Sequence, residues 1–212
     1  MSHAPLSHFQ GTGDYAWELA TLYPEQGEWS EVEYLDLTDE TNGRVEFTDG
    51  RLEFLPMPTE THEALVQFLY IALYNFVNPN NLGKVYSNGI RVRVRPGKLR
   101  LPDVLFLHRD HFAVRHNRVW DGADLVMEVV SDDPKDRQRD YELKLNDYAE
   151  AKIAEYWIVD LDRELVIVHR LEGERYAVHG EFGAGQQATS VLLSDFNVDV
   201  SALFAVTEDI PE

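Results

Sequence analysis

Apolar residues at positions 65, 68, 69, 72, 73, 76 and 77 repeat at the spacing of one helical face, and predict a helix from Thr59 or Thr61 to Val77. A period of two appears in Arg91-Val92-Arg93-Val94-Arg95, which sets three arginines on one face of a strand and two valines on the other. The pattern predicts strands at 84–87, 90–95, 99–107 and 124–130, a buried strand at 155–160, an outer strand at 164–170 and a further pair within 175–192. Asp49-Gly50, between Arg44–Thr48 and Arg51–Leu55, supplies the positive φ values of a tight hairpin turn. Ser30 reads as the cap of a short acidic helix reaching about Asp39, and Ser194 as the cap of a last helix. Residues 108–120 read as loop or irregular helix, and a turn at Asp132-Asp133-Pro134 leads into a charged helix from about Asp136 to Ala151. Residues 1–28 show no period and are expected to form a loose tail, followed by one domain over 29–205 and a short tail over 206–212. This order of elements fits an α/β (α+β) architecture, a mixed β-sheet flanked by helices.

Two of these strands carry an acid where a core residue is expected. Asp124-Leu125-Val126-Met127-Glu128-Val129-Val130 has Glu128 at its centre, and Leu101-Pro102-Asp103-Val104-Leu105-Phe106-Leu107 has Asp103 in a similar setting. An ionised carboxylate buried there costs several kcal/mol unless a cation or metal ion pairs with it. Hard Mg²⁺ or Mn²⁺ takes one or two carboxylates together with water, phosphate and carbonyl oxygens, so Asp103 and Glu128 suit such an ion. A lysine two residues past Glu128 would point at the same centre, but that position is Val130. The following helix offers one instead: Asp140, Lys144 and Tyr148 form a single stripe, with Arg137 nearly in line. Two acids and a lysine are the minimum for metal-assisted phosphodiester hydrolysis. Spacing alone favours the plainer reading of Asp140 and Lys144 as a surface ion pair.

Composition narrows the partners. The 212-residue chain has no cysteine, which removes disulfides, thiolate chemistry and cysteine zinc sites. No apolar run reaches the roughly 20 residues of a membrane span, and Met1–Gln10 lacks the blocks of a signal peptide, so a cytoplasmic location is expected. A net charge of −19 disfavours indiscriminate nucleic-acid binding. Residues 91–118 run against that trend, with Arg91, Arg93, Arg95, Lys98, Arg100, Arg109, Arg115 and Arg118 facing only Asp103 and Asp110. They read either as a cationic groove leading to Asp103 or as a solvated hairpin face.

Taken together, Leu101-Pro102-Asp103-Val104, Asp124–Ser131, Asp140-x3-Lys144-x3-Tyr148-Ala149 and Glu155-Tyr156-Trp157-Ile158-Val159-Asp160 resemble the Uma-two family of restriction endonucleases. Arg44–Leu52 resembles that family's Tyr-Glu-Leu-x-Asp-Gly hairpin, with Phe47 in place of the common Leu, and His62 falls at its usual histidine. The resemblance covers about residues 30–172. It implies a restriction-endonuclease-like fold of the PD-(D/E)XK nuclease superfamily with an added N-terminal hairpin, and Mg²⁺- or Mn²⁺-dependent cleavage of DNA. By the same resemblance Asp103 and Glu128 are the metal-binding acids, Lys144 the catalytic lysine moved onto the helix, Glu46 an additional acid and the Val129 carbonyl a metal ligand. His62, Arg91, Arg93, Arg95 and Tyr148 are candidates for substrate contact. The segment Ser131-Asp132-Asp133-Pro134 is longer than the family's usual turn, which bears on where Lys144 lands.

Other readings of the same residues stay open. The fold could persist without activity, as a module binding nucleic acid or protein, and paired carboxylates also serve glycosidases. His108, His111 and His116 are too irregularly spaced for a zinc site. Tyr156 and Trp157 read as core aromatics. Cutting both strands of a duplex is compatible with a homodimer.

Overall fold

The computed structural model describes residues 23–41, 43–130 and 137–211. Most of the expected N-terminal tail and the Asp132-Asp133-Pro134 turn therefore lie outside the described residues. Helix α1 (Glu31–Thr41) starts at Ser30, whose hydroxyl accepts the Glu33 N–H at 3.2 Å while the Glu33 carboxylate accepts the Ser30 N–H at 2.8 Å. Strands β1 (Val45–Thr48) and β2 (Arg51–Phe54) form the expected hairpin around Asp49 and Gly50, with φ of 47° and 78°. Gly50 is needed for a second reason: a Cβ there would lie 2.4 Å from the carbonyl oxygen of Gly27, whose N–H donates to the Gly50 carbonyl at 2.7 Å. Residues 26 and 27 are thereby tied to the hairpin, Gln26 also exchanging hydrogen bonds with the Leu52 backbone.

Helix α2 (Glu60–Val77) follows the apolar period read from the sequence. Leu65, Val66, Leu69, Leu73 and Val77 are buried, and Thr59 caps it by accepting the His62 N–H at 3.2 Å. After it come β3 (Gly83–Ser87), β4 (Arg91–Arg95), β5 (Lys98–Arg100), β6 (Val104–His108), a 3₁₀ turn over 109–114, β7 (Val119–Trp120) and β8 (Leu125–Val130). Then follow a π-helical turn over 139–143, α3 (Lys144–Glu150), β9 (Glu155–Asp160), β10 (Leu165–Glu172), β11 (Arg175–Phe182), β12 (Gln187–Thr189), β13 (Asn197–Asp199) and α4 (Val200–Ala205). A five-stranded sheet has the order β2-β1-β5-β4-β7, a six-stranded one β11-β10-β9-β8-β6-β3, and β12 pairs with β13. The larger sheet is mixed: β8 runs parallel to β9 and antiparallel to β6.

Leu125, Met127 and Val129 on one face of β8 pack with the buried stripe of α2 and with Leu203 and Phe204 of α4. Val126 and Val130 on the other face pack with Tyr148 of α3, Tyr156 and the valines of β4. Glu128 belongs to this second face, under α3 and beside the smaller sheet. Each fully buried large side chain contributes roughly 1.5–3 kcal/mol, enough in sum to hold a few charges away from water.

Four expectations are corrected. The single strand at 99–107 is two, in different sheets, because Pro102 has no N–H to continue a ladder and the chain changes sheet at Leu101-Pro102-Asp103. The strand expected as an outer one at 164–170 is β10, which lies between β9 and β11 and is itself buried over Val166–His169. Of the pair expected within 175–192, β11 adds to β10, whereas β12 takes β13 as its partner. The last helix is capped by Asp199, whose carboxylate accepts the Ala202 N–H at 2.9 Å directly before the apolar turn, and not by Ser194. No helix among the described residues is long and apolar enough to cross a membrane.

Candidate active site

Strand register explains why two acids far apart in sequence meet. Strands β6 and β8 pair as Phe106–Leu125, Leu105–Val126 and Val104–Met127, and one further step sets Asp103 opposite Glu128. Directly opposed residues of antiparallel strands project from the same face, so both carboxylates enter the layer beneath α3. The Val129 N–H donates to Asp103 Oδ2 at 2.9 Å and fixes the acid at the strand end. Asp103 and Glu128 are 4% and 2% exposed, so each must find its partners within the protein.

Glu128 finds them on the helix. Lys144 Nζ lies 2.8 Å from Glu128 Oε2 and 3.0 Å from Asp140 Oδ1, and the Tyr148 hydroxyl donates to Glu128 Oε1. The Asp140–Lys144 pair is thus buried, which corrects the surface-pair reading. The π-helical turn just before α3 contributes to this placement. There the Lys144 N–H bonds to the Arg139 carbonyl, and the Tyr156 hydroxyl donates to the Asp140 carbonyl at 2.9 Å. Wide turns of this kind concentrate at functional sites.

Burial pushes the Glu128 carboxyl up to about 8; the nearby charges of Asp103 and Asp140 add to that, against the opposing pull of Lys144. Burial acts on Lys144 in the opposite sense, yet the carboxylates of Asp140, Glu128 and Glu46 outweigh it and hold the ammonium well above the lysine range. Asp103 is also pushed up by burial, but His62, Lys144 and the Val129 N–H bring it below its ordinary value.

His62 Nε2 stands 3.3 Å from Asp103 Oδ2, and Arg44 Nη2 stands 3.2 Å from Asp103 Oδ1. Burial lowers the His62 imidazole and the Asp103 carboxylate raises it, with a net rise. The His62 Nδ1 atom is buried without a hydrogen-bond partner, 3.8 Å from a Glu63 carboxylate oxygen. A cavity of about 40 Å³ joins these groups, lined by Asp103, Glu128, Val129, Asp140, Lys144, His62, Arg44 and Arg139 with Leu55, Pro56 and Leu101, which is room enough for water.

The remaining candidates lie apart from that cavity. Glu46 is fully buried beneath it, where it accepts the Leu101 N–H at 3.1 Å and pairs with Arg100, which also holds Asp147 at 2.6 Å. Burial raises the Glu46 carboxyl, and the charges of Lys144 and Arg100 more than reverse this. Tyr148 is enclosed and meets Glu128 from the protein side. The three arginines of β4 do not form an open cationic groove. Arg91 pairs with Asp39, Arg93 with Glu31 and Asp121, and Arg95 with Asp49 and Glu150, because α1, the hairpin, the end of α3 and the residue after β7 bring acids to that face. His111 bonds Asp124 at 2.7 Å on the surface, and no group of three or more His, Asp or Glu among the described residues is arranged to hold a metal ion.

Arg44, Arg139 and Asp140 line the cavity without having been singled out as site residues. Arg44 could have been found by the period of two that sets it on the face of Glu46; Asp140 by taking its helical stripe as buried; for Arg139 no signal stands out beyond its place next to Asp140.

A family model described as "Uma2: Putative restriction endonuclease" matches residues 31–201. Among solved structures, a protein described as a putative nuclease belonging to DUF820 from Anabaena variabilis ATCC 29413 is similar at 18% identity and a TM-score of 0.66, over 81% of this chain and 97% of that one. That likeness shows the fold, which is restriction-endonuclease-like with mixed sheets flanked by helices. No curated protein matches.

Proposed function

This chain belongs to the Uma2 family, whose model spans residues 31–201, and we propose that it is a metal-dependent endonuclease hydrolysing DNA phosphodiester bonds at the Asp103–Glu128 cavity. The observation that carries this reading is the placement of two buried acids opposite each other across β6 and β8, with Lys144 on one of them.

The donor set fits Mg²⁺ or Mn²⁺. Two carboxylates and a neighbouring strand carbonyl are few ligands, and Mg²⁺ keeps several waters and takes the rest from phosphate. A carboxyl raised to about 8 by burial and by neighbouring acids is one whose charged form an added cation would favour. Asp103, Glu128 and the Val129 carbonyl would hold the ion. When bound, it supplies an activated water and neutralises charge on the phosphate oxygens.

The protein's own groups do the rest. Lys144 stays protonated, since it pairs with Asp140 and Glu128 and feels the charge of Glu46, and its ammonium orients water or offsets charge developing on phosphate. Glu46 acts at one remove, through its charge on Lys144 and its pairing with Arg100. His62 holds Asp103 from the α2 side. Double-strand cleavage would draw on a second copy of the chain, giving a homodimer.

A second reading, a nuclease-fold protein that only binds, draws on one observation: each oxygen of Asp103 and Glu128 already has a protein partner. Nicking of supercoiled plasmid separates the two. The nuclease reading expects Mg²⁺- or Mn²⁺-dependent nicking that is lost in Asp103→Asn and Lys144→Met while duplex binding persists. Binding without nicking in either metal would leave the second reading standing.

A further inference from the structure

Arg44 is a wall shared by two cavities. On one side it faces Asp103 in the small acid-lined space; on the other it borders a cavity of about 160 Å³ lined by Thr38, Gly43, Asn88, Gly89, Arg91 and Leu101, far more room than a single water needs. Leu101 also lines both, so the two spaces adjoin. No Asp or Glu lines the second cavity, in a chain whose net charge is −19, while two guanidinium groups do. A third cavity of about 530 Å³ at the N-terminal half of α2 shows the contrast, with Glu60, Glu63 and Asp209 in its lining.

Arg91 is fixed in place at the second cavity. Its Nη2 donates to Thr38 Oγ1 at 2.7 Å and meets Asp39 at 2.9 Å, its Nη1 donates to the Arg118 carbonyl at 3.3 Å, and its guanidinium lies over the Tyr34 ring at 5.8 Å. A phosphate there would meet a planar, pre-positioned guanidinium and would take over donors from Asp39 and the Arg118 carbonyl. Arg44 is three-quarters buried, and its partner Asp103 is one of the two acids assigned to the metal, so a cation on Asp103 competes with Arg44 for the same carboxylate.

We propose that the Arg44–Arg91 cavity is a second phosphate site, which takes the phosphodiester next to the one being cut, Arg44 standing between the two. The assignment to a strand phosphate rests on the nuclease reading; the anion site itself does not.

Phosphorus NMR titration of inorganic phosphate into the metal-free full chain tests the anion site. Saturable binding is expected, weakened about tenfold or more by Arg44→Gln and by Gly43→Asp, the loss of one charge-assisted contact being worth that much. Gly43→Asp puts a carboxylate at the exposed rim, its Cβ in tight contact 3.3 Å from Thr41 and Val45, and leaves the metal-site residues untouched. Asp103→Asn, which removes the partner competing for Arg44, is expected to bind phosphate as well as the wild type or better. No saturable binding by the wild type, or equal binding by both wall variants, overturns the site whether or not the chain cuts DNA. In the cleavage arm, a single neutral methylphosphonate beside the scissile bond should raise KM at unchanged kcat, and add nothing in Gly43→Asp. A methylphosphonate without effect overturns the strand-phosphate assignment. Phosphate binding of the expected kind in a chain that never nicks supports the anion site and removes the nuclease reading alone.

Discussion

The arginines of β4 and the acids around Lys144 are both clusters of alternating charge, yet they differ in every physical respect that matters for chemistry. On β4 each arginine meets carboxylates at the edge of solvent: Arg93 and its partners Glu31 and Asp121 are each about a quarter or more exposed. Around Lys144 the side chains of Glu128, Asp140 and Lys144 itself are at most 3% exposed. Exposed pairs are screened by solvent and salt, so the shifts they cause contribute little to stability, whereas buried ones cannot relax into water and drive their members apart. Glu128 at about 8, close to a lysine held far above its range, is the outcome. A run of charge in a sequence therefore says little about reactivity until its burial is known.

The comparison is broken most severely by removing one partner on each side. Lys144→Met leaves Glu128 and Asp140 buried without their cation, and should lower stability by about 3–5 kcal/mol in urea unfolding. Arg93→Met should cost less than about 1 kcal/mol, and that small cost should vanish in high salt while the Lys144→Met loss persists. Equal losses would mean that the two clusters are equally buried in solution.

Acid titration sharpens the contrast on a smaller scale. Glu46 and Asp49 both have carboxyls below their ordinary values of 4.5 and 3.8, the first despite burial, through Lys144 and Arg100, the second through Arg95. A depressed folded value contributes stability that is complete above the ordinary value and is lost as pH falls through the folded one. Glu46→Gln should therefore flatten the acid side of the stability profile below about pH 4.5, at low and high salt alike. Asp49→Asn should flatten it slightly and only at low salt. An acid limb unchanged by Glu46→Gln would show that Arg100 does not hold that carboxylate.

Elements with a strong local signal were legible in the sequence: the α2 stripe, the Asp-Gly hairpin, the apolar run of β8 and the cap at Ser30. The two acids were legible as well, because a lone carboxylate in an apolar strand has no plain structural reading. What stayed hidden depended on partners distant in sequence. The opposition of Asp103 and Glu128 needs the β6–β8 register, and the neutral β4 face needs α1 to fold over it. Pro102 marked the change of sheet, but an apolar run on both sides masked it. The π-helical turn before α3 and the burial of Asp140 carry no local mark, since Asp-x3-Lys on a helix is ordinarily a surface pair.

Calorimetric titration of Mn²⁺ into the wild type, Asp103→Asn and Glu128→Gln at pH 8 tests the metal centre most directly. Saturable binding by the wild type is expected, with at least about a tenfold loss in each variant. A wild type that binds no Mn²⁺ even with duplex DNA present, or variants that bind as tightly as the wild type, would contradict it.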